Sequence, residues 1–185
     1  IEQEGTYPLP EAQLDRFMFM IRVAYPSESQ ELEILRRTTT RDAAPVEPVL
    51  SGEEVIELQR LIREVPVPEH VAKFALRLVR ATRKPGRGED DHRPDFIEKY
   101  VTWGAGPRAS QNLILAGKAR AVFRGRSHVE ADDVKAVAPP VLRHRLILNF
   151  NAEADNLTPD DLIDRLLAAV TLTEPSDPQA AAVLR

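Results

Sequence analysis

The run Phe17-Met18-Phe19-Met20-Ile21-Arg22-Val23 is the one convincing strand in the early part of the chain. Its length and apolar composition are those of a buried strand, although periodicity by itself also allows a short helix. A single strand cannot pair its own backbone groups, so it needs neighbours or stays an exposed edge. Left alone, it is expected to associate, to exchange between copies, or to hold residues from Ile1 to Thr40 in a non-native arrangement. Beyond it, almost every periodic pattern is helical. The chain is therefore expected to be mainly α.

The stretch before this run, Leu9-Pro10-Glu11-Ala12-Gln13-Leu14-Asp15-Arg16, ends in an arginine. Pro10 suits the first turn of a short helix and Glu11 suits its positive end. Such a helix would deliver Arg16 to a sheet edge, where a guanidinium can reach a phosphate. The plainer alternative is a surface arginine paired with Asp15 or Glu11, which contributes little.

Helix signals follow in order. Ser27 and Gln30 form a capping box for a helix over Glu28 to Thr38, with Leu32 and Leu35 expected inward. Thr39 to Leu50, with Pro45 and Pro48, reads as a linker. Ser51 and Glu54 cap a second helix whose Val55, Leu58, Leu61, Ile62 and Val65 recur at helical spacing. Pro66 and Pro68 stop it. Val71, Phe74, Ala75, Leu78 and Val79 mark a third helix, and such stripes are far more often core than cofactor box. Lys84 to Pro94 reads as a solvated acidic loop, and Asp95 to Tyr100 as a short helix. Pro107 opens a helix to about Phe123, with Leu113, Ile114, Gly117 and Ala121 facing a neighbour. Val129 to Leu142 holds another, which Pro139-Pro140 should end or kink. Leu146 to Phe150 has the makings of a short strand. Thr158-Pro159-Asp160-Asp161 starts a last helix reaching Val170, with Leu157 and Leu162 as a hydrophobic staple. Leu172 to Arg185 reads as a frayed tail.

Arg108 falls in the first turn of its helix, where free amides and the positive dipole end favour an anion. A nucleotide phosphate is the obvious candidate; an exposed arginine or one paired with a loop carboxylate is the alternative. The 185 residues carry a net charge of −4, which argues against a generic nucleic-acid binder. Without cysteine, disulfides and cysteine-ligated zinc are excluded. The four histidines, His70, His92, His128 and His144, form no metal-binding pair, so no metal site is expected. No apolar stretch is long enough to span a bilayer and no signal peptide opens the chain, so a cytoplasmic protein is expected. Ile1 in place of Met suggests a piece of a longer chain.

The run from Ile1 to Phe17, IEQEGTYPLPEAQLDRF, closely resembles the MoxR family of AAA+ ATPases. Gly104-Ala105-Gly106-Pro107-Arg108-Ala109 resembles that family's sensor-2 motif, and Val141-Leu142-Arg143-His144-Arg145-Leu146 its lid ending. The matches fall in the family's order and span most of the chain. The resemblance implies a helical AAA+ lid bundle preceded by the last strand and helix of an α/β ATPase core. It places the core remnant at residues 1–42, a hinge at 43–50, the lid at 51–171 and a flexible tail at 172–185. It makes Arg16 an arginine finger acting in trans, and Gly106, Pro107 and Arg108 the sensor-2 contact to nucleotide phosphate. The family usually has serine where this chain has Gly106, which removes a capping hydroxyl.

What the resemblance implies functionally is a ring, expected to be hexameric, that uses ATP and Mg²⁺ to remodel or mature client proteins. Partners with a von Willebrand factor A domain are implied as well. The sequence has neither a Gly-x-x-x-x-Gly-Lys-Ser/Thr loop nor an Asp-Glu pair ending a strand. The chain alone is therefore expected to bind no cofactor and to hydrolyse no ATP. Two other readings compete. In one, a helical nucleic-acid-binding or adaptor module uses Arg143-His144-Arg145 and a following strand as helix and wing. In the other, a plain interaction domain has lost the ATPase role.

Overall fold

The computed structural model describes residues 9–39, 46–85 and 93–172. The readings of residues 1–8, of 40–45 in the linker, of 86–92 in the acidic loop with His92, and of the tail from 173 onward lie outside the described residues. The chain divides into two compact units, Ile21–Leu61 and, together, Ile1–Met20 with Ile62–Arg185.

The smaller unit holds α2 (Glu28–Thr38) and most of α3 (Gly52–Glu64). Both helices start where their caps require. Ser27 and Gln30 form a reciprocal box, and the Ser51 amide donates to Glu54 while the Glu54 amide donates to Ser51 Oγ. Neither helix buries a residue, and Leu32, Leu35, Val55, Leu58 and Leu61 are all exposed. The inward placing of Leu32 and Leu35 is thus corrected. An apolar stripe records a need for a partner, and among the described residues none covers these two helices well enough to bury a side chain of either.

The larger unit is a helical bundle. Its elements are α1 (Glu11–Leu14), α4 (Glu69–Arg80), α5 (Asp95–Tyr100), β1 (Val101–Trp103), α6 (Pro107–Phe123), α7 (Ala131–Leu142), β2 (Ile147–Leu148), α8 (Phe150–Ala154) and α9 (Pro159–Ala169). The stripe Val71, Phe74, Ala75, Leu78 and Val79 of α4 is buried throughout. It packs in one core with Ile97, Leu113, Val134, Leu142, Ile163 and Leu166. α6 buries Ala109, Leu113, Ala116, Gly117 and Ala121, a mostly small-residue face that lets α7 come close. A Cβ at Gly117 would lie 3.2 Å from a Val129 methyl. Thr158 and Asp161 cap α9 reciprocally, and Leu157 packs with Leu162 beside Tyr100 and Ala152, the expected staple.

One charge is fully buried at the α6–α7 seam. Asp133 accepts from Arg120 Nη1 at 2.7 Å, from Arg126 Nη2, and from the Glu130 amide at 2.9 Å. Burial by itself would raise this carboxyl's pKa, but the amide and the two guanidinium groups outweigh it and hold the pKa below the ordinary carboxylate range.

One further expectation is corrected here, the strand over Phe17 to Val23, whereas α7 ends at Leu142 as the sequence indicated. α7 continues through Pro139 and Pro140 to Leu142. Each proline removes one amide donor, yet only a last turn follows, and full burial of Val141 and Leu142 holds that turn in place. α5 ends at Tyr100 as expected, and β1 directly after it pairs antiparallel with β2, which falls within the stretch expected to be a short strand. Phe17 to Val23 forms no strand. The Met20 amide donates to Pro140 O at 2.9 Å, the kind of single bond an extended segment makes without a ladder. Phe17, Phe19 and Ile21 remain exposed. No described helix is long and apolar enough to cross a membrane.

Candidate functional site

The start of α6 is set by a contact that only glycine permits. A Cβ at Gly104 would lie 2.0 Å from the Thr82 carbonyl oxygen and 2.4 Å from its carbon. The next residue, Ala105, donates its amide to Thr82 Oγ1 at 2.9 Å, and Thr82 Oγ1 donates to Val79 O at 2.7 Å. The turn that follows α4 therefore fixes where α6 begins. Gly104→Ala should cost about 1–3 kcal/mol or more, because backbone rather than a flexible side chain must yield. A thermal melt of the variant checks this, and an unchanged Tm would contradict it.

Gly106 caps α6 without a side-chain hydrogen bond and Pro107 takes the first helical position. A Cβ at Gly106 would meet nothing within 4 Å, so space does not demand glycine there. Serine would fit and add a capping hydroxyl worth a few tenths of a kcal/mol, roughly the usual difference between the two caps. Arg108 follows on the first turn, exposed.

Arg108 is not free. Its Nη1 donates to Asp15 Oδ2 at 2.9 Å, across 93 positions of sequence. The other oxygen of the same carboxylate, Oδ1, accepts from Arg145 Nε at 2.9 Å. Asp15 thus joins the start of α6 to the end of α7. It immediately precedes Arg16, which is exposed and forms no side-chain hydrogen bond or ion pair among the described residues.

Arg145 is the buried centre of this junction, its side chain 1% exposed. Nη2 donates to Asp15 O at 2.7 Å and to Phe17 O at 2.6 Å; Nη1 donates to Met18 O at 3.4 Å and to Val141 O. Its neighbours continue the pattern. Arg143 donates to Met20 O at 3.0 Å and to Asp160 at 3.0 Å. The Nε2 of His144 lies 3.1 Å from Phe17 O, so that nitrogen carries the proton and donates it. Burial, and then the Arg145 charge, lower the His144 pKa, so the ring is neutral near pH 7. Side chains of Arg143, His144 and Arg145 thereby take up the carbonyls of Asp15, Phe17, Met18 and Met20. This is why residues 17–20 can stay extended without a sheet.

Each expected site residue can now be placed. Arg108 has a carboxylate partner, as the plainer alternative held, but the partner is Asp15 and not a loop acid. Arg16 has none of the partners proposed for it. No sheet edge lies beside it, because Phe17 to Val23 is not a strand. Arg143 and Arg145 are turned onto their own chain, which removes the helix-and-wing reading of this segment. Asp15, which the sequence offered only as a partner for Arg16, pairs instead with Arg108 and Arg145. Nothing in a linear sequence indicates a pairing 93 residues distant. No group of three histidines, cysteines or carboxylates among the described residues is placed to hold a metal.

The profile of the AAA lid domain matches residues 95–166. Chaperone MoxR1 of Mycobacterium tuberculosis is 41% identical over 94% of this chain, which covers 45% of that protein. An uncharacterised protein, YeaC, of Bacillus subtilis is 33% identical over 92% of the chain and 49% of its own length. Protein MoxR of Paracoccus denitrificans is 28% identical over 92% of the chain and 52% of its own length. A crystal structure of a candidate ATPase from Cytophaga hutchinsonii superposes with a TM-score of 0.83 at 39% identity. That match covers 94% of this chain and 52% of the other. The chain spans about half the length of the curated relatives it matches.

Proposed function

This chain belongs to the MoxR family of AAA+ ATPases, and from that premise we propose that it works within a ring of subunits remodelling or maturing client proteins at the expense of ATP. In this reading the lid domain follows the nucleotide state, and Arg108 is the lid's sensor of a nucleotide phosphate. Arg16 is an arginine finger offered to a neighbouring subunit. A hexameric ring, a partner with a von Willebrand factor A domain and a cytoplasmic location belong to the same proposal.

The observation that carries it is the pairing of Arg108 with the residue next to Arg16. One carboxylate links the two arginines that the reading assigns to nucleotide, one through its side chain and one through the chain itself. The residues fit a phosphate in kind. Both guanidinium groups are exposed, and a planar fork matches a pair of phosphate oxygens better than an ammonium does. They supply only the cationic side of a site. The 185 residues include neither a Gly-x-x-x-x-Gly-Lys-Ser/Thr loop nor an Asp-Glu pair ending a strand, so no Mg²⁺ ligand is assigned here. Bound ATP would supply the phosphoryl group and its leaving charge; the arginines would orient that charge and offset it.

Arg108→Ala in the full-length protein tests the sensor role. Losing a charge-assisted contact to phosphate should weaken nucleotide binding or nucleotide-driven lid movement by about ten- to a hundredfold. Arg108→Lys should fall between the two. Titration with ADP and steady-state hydrolysis check it; unchanged affinity together with unchanged hydrolysis would overturn the role.

A further inference from the structure

Asp15 divides its carboxylate between two arginines of different character. The Oδ1 side is fixed: Arg145, buried, holds Oδ1 at 2.9 Å and the Asp15 carbonyl at 2.7 Å. The Oδ2 side faces Arg108, whose side chain is 44% exposed, at 2.9 Å. The first arm is anchored by further bonds from the same guanidinium to Phe17 and Met18. The second arm is a single, half-exposed contact, and contacts of that kind are individually weak.

We infer that Asp15 is a positioning residue that parks Arg108 on a carboxylate and yields it to a nucleotide phosphate, the inference resting on the phosphate-sensing reading of Arg108. The carboxylate and an incoming phosphate are alternative acceptors for one guanidinium. When Arg108 leaves, Asp15 is not stranded, because Arg145 still neutralises it and holds its backbone. The exchange therefore costs little beyond the one contact given up. Arg16 stays tethered throughout, since the residue before it remains clamped. Asp15 thus sets how much phosphate affinity Arg108 shows: a sensor partly occupied by an internal competitor binds with an affinity reduced by the parked fraction.

The test is a four-variant cycle in the full-length protein, read as the Kd for N-methylanthraniloyl-ADP. Asp15→Asn keeps an oxygen for Arg145 Nε but removes the charge that competes for Arg108. With Arg108 intact it should tighten Kd by about two- to fivefold, the range expected for one exposed pair. In an Arg108→Ala background the same change should do nothing, a result that a merely structural Asp15 would not give. Asp15→Glu, which keeps the charge, should return Kd toward the parent value. Three results would overturn the inference: no tightening in Asp15→Asn, an equal shift in both backgrounds, or an Asp15→Glu variant that behaves as Asp15→Asn. If Arg108→Ala alone leaves Kd unchanged, the phosphate-sensing reading has failed and this inference fails with it. If Arg108→Ala weakens binding but Asp15→Asn changes nothing, only the parking role is lost.

Discussion

Mixed rings of an Arg16→Ala subunit and a subunit lacking its phosphate-loop lysine are expected to regain part of the hydrolysis that each loses alone. Arg16 is exposed and without a partner among the described residues, whereas Arg108 and Arg145 close by are both bonded to Asp15. Its guanidinium is thus the one of the three that owes nothing to this junction. A buried clamp would hold the residue before it steady, so the arginine can be presented outward at low entropic cost. Placed against a neighbour's terminal phosphate, it would offset charge developing on the phosphoryl group in transit. Arginine fingers contribute about three to five orders of magnitude in rate at the strong end. Arg16→Lys should restore little, since a single ammonium cannot span two oxygens. The measurement is hydrolysis as a function of mixing ratio, with co-assembly verified separately. Full inactivity at every ratio would assign Arg16 to its own subunit or to the fold.

The largest effect on stability is expected from Arg145→Ala. The side chain is buried and donates to Asp15, Phe17, Met18 and Val141. Removing it leaves several carbonyls and one carboxylate short of donors at once. Water can reach part of this, because Asp15 is about one-third exposed, so the full cost of a broken buried pair does not apply. A loss of about 2–4 kcal/mol is reasonable for charge-assisted bonds of this number. That corresponds to a Tm lower by roughly 5–15 °C for a chain of this size. Limited proteolysis should cut first between residues 15 and 20, which lose their anchors. Arg145→Lys should recover less than half of the loss, as one ammonium cannot reach acceptors on both sides of a planar fork. A variant with unchanged Tm and unchanged cleavage would show that the segment is held by its own packing.

Much of the bundle was legible because its signals are local. The caps at Ser27, Ser51 and Thr158, the proline at the head of α6 and the stripe of α4 each lie within one or two turns of the element they specify. The family was legible for a related reason: short motifs keep their order along the chain whatever surrounds them in space. Those signals set the helices and pointed to Arg16, Gly106, Pro107 and Arg108. They could not say what the arginines touch.

Tertiary structure decided the rest wherever the outcome depended on a distant partner. The apolar content of Phe17 to Val23 asks for a sheet, but pairing needs a second strand; here Arg143, His144 and Arg145 take up the carbonyls of Phe17, Met18 and Met20. Pro139 and Pro140 should stop a helix by propensity, yet the core beneath Val141 and Leu142 carries α7 past them. β1 and β2 are too short to carry a pattern and exist because Val101 and Trp103 find Leu148 and Ile147 opposite them. Asp15 became the hinge of the site only when folding brought residues 93 and 130 positions away onto its two oxygens. A sequence specifies what each segment needs within a few turns. Which group meets that need is settled by packing, because hydrogen-bond partners and core contacts are fixed by distance in space and not along the chain.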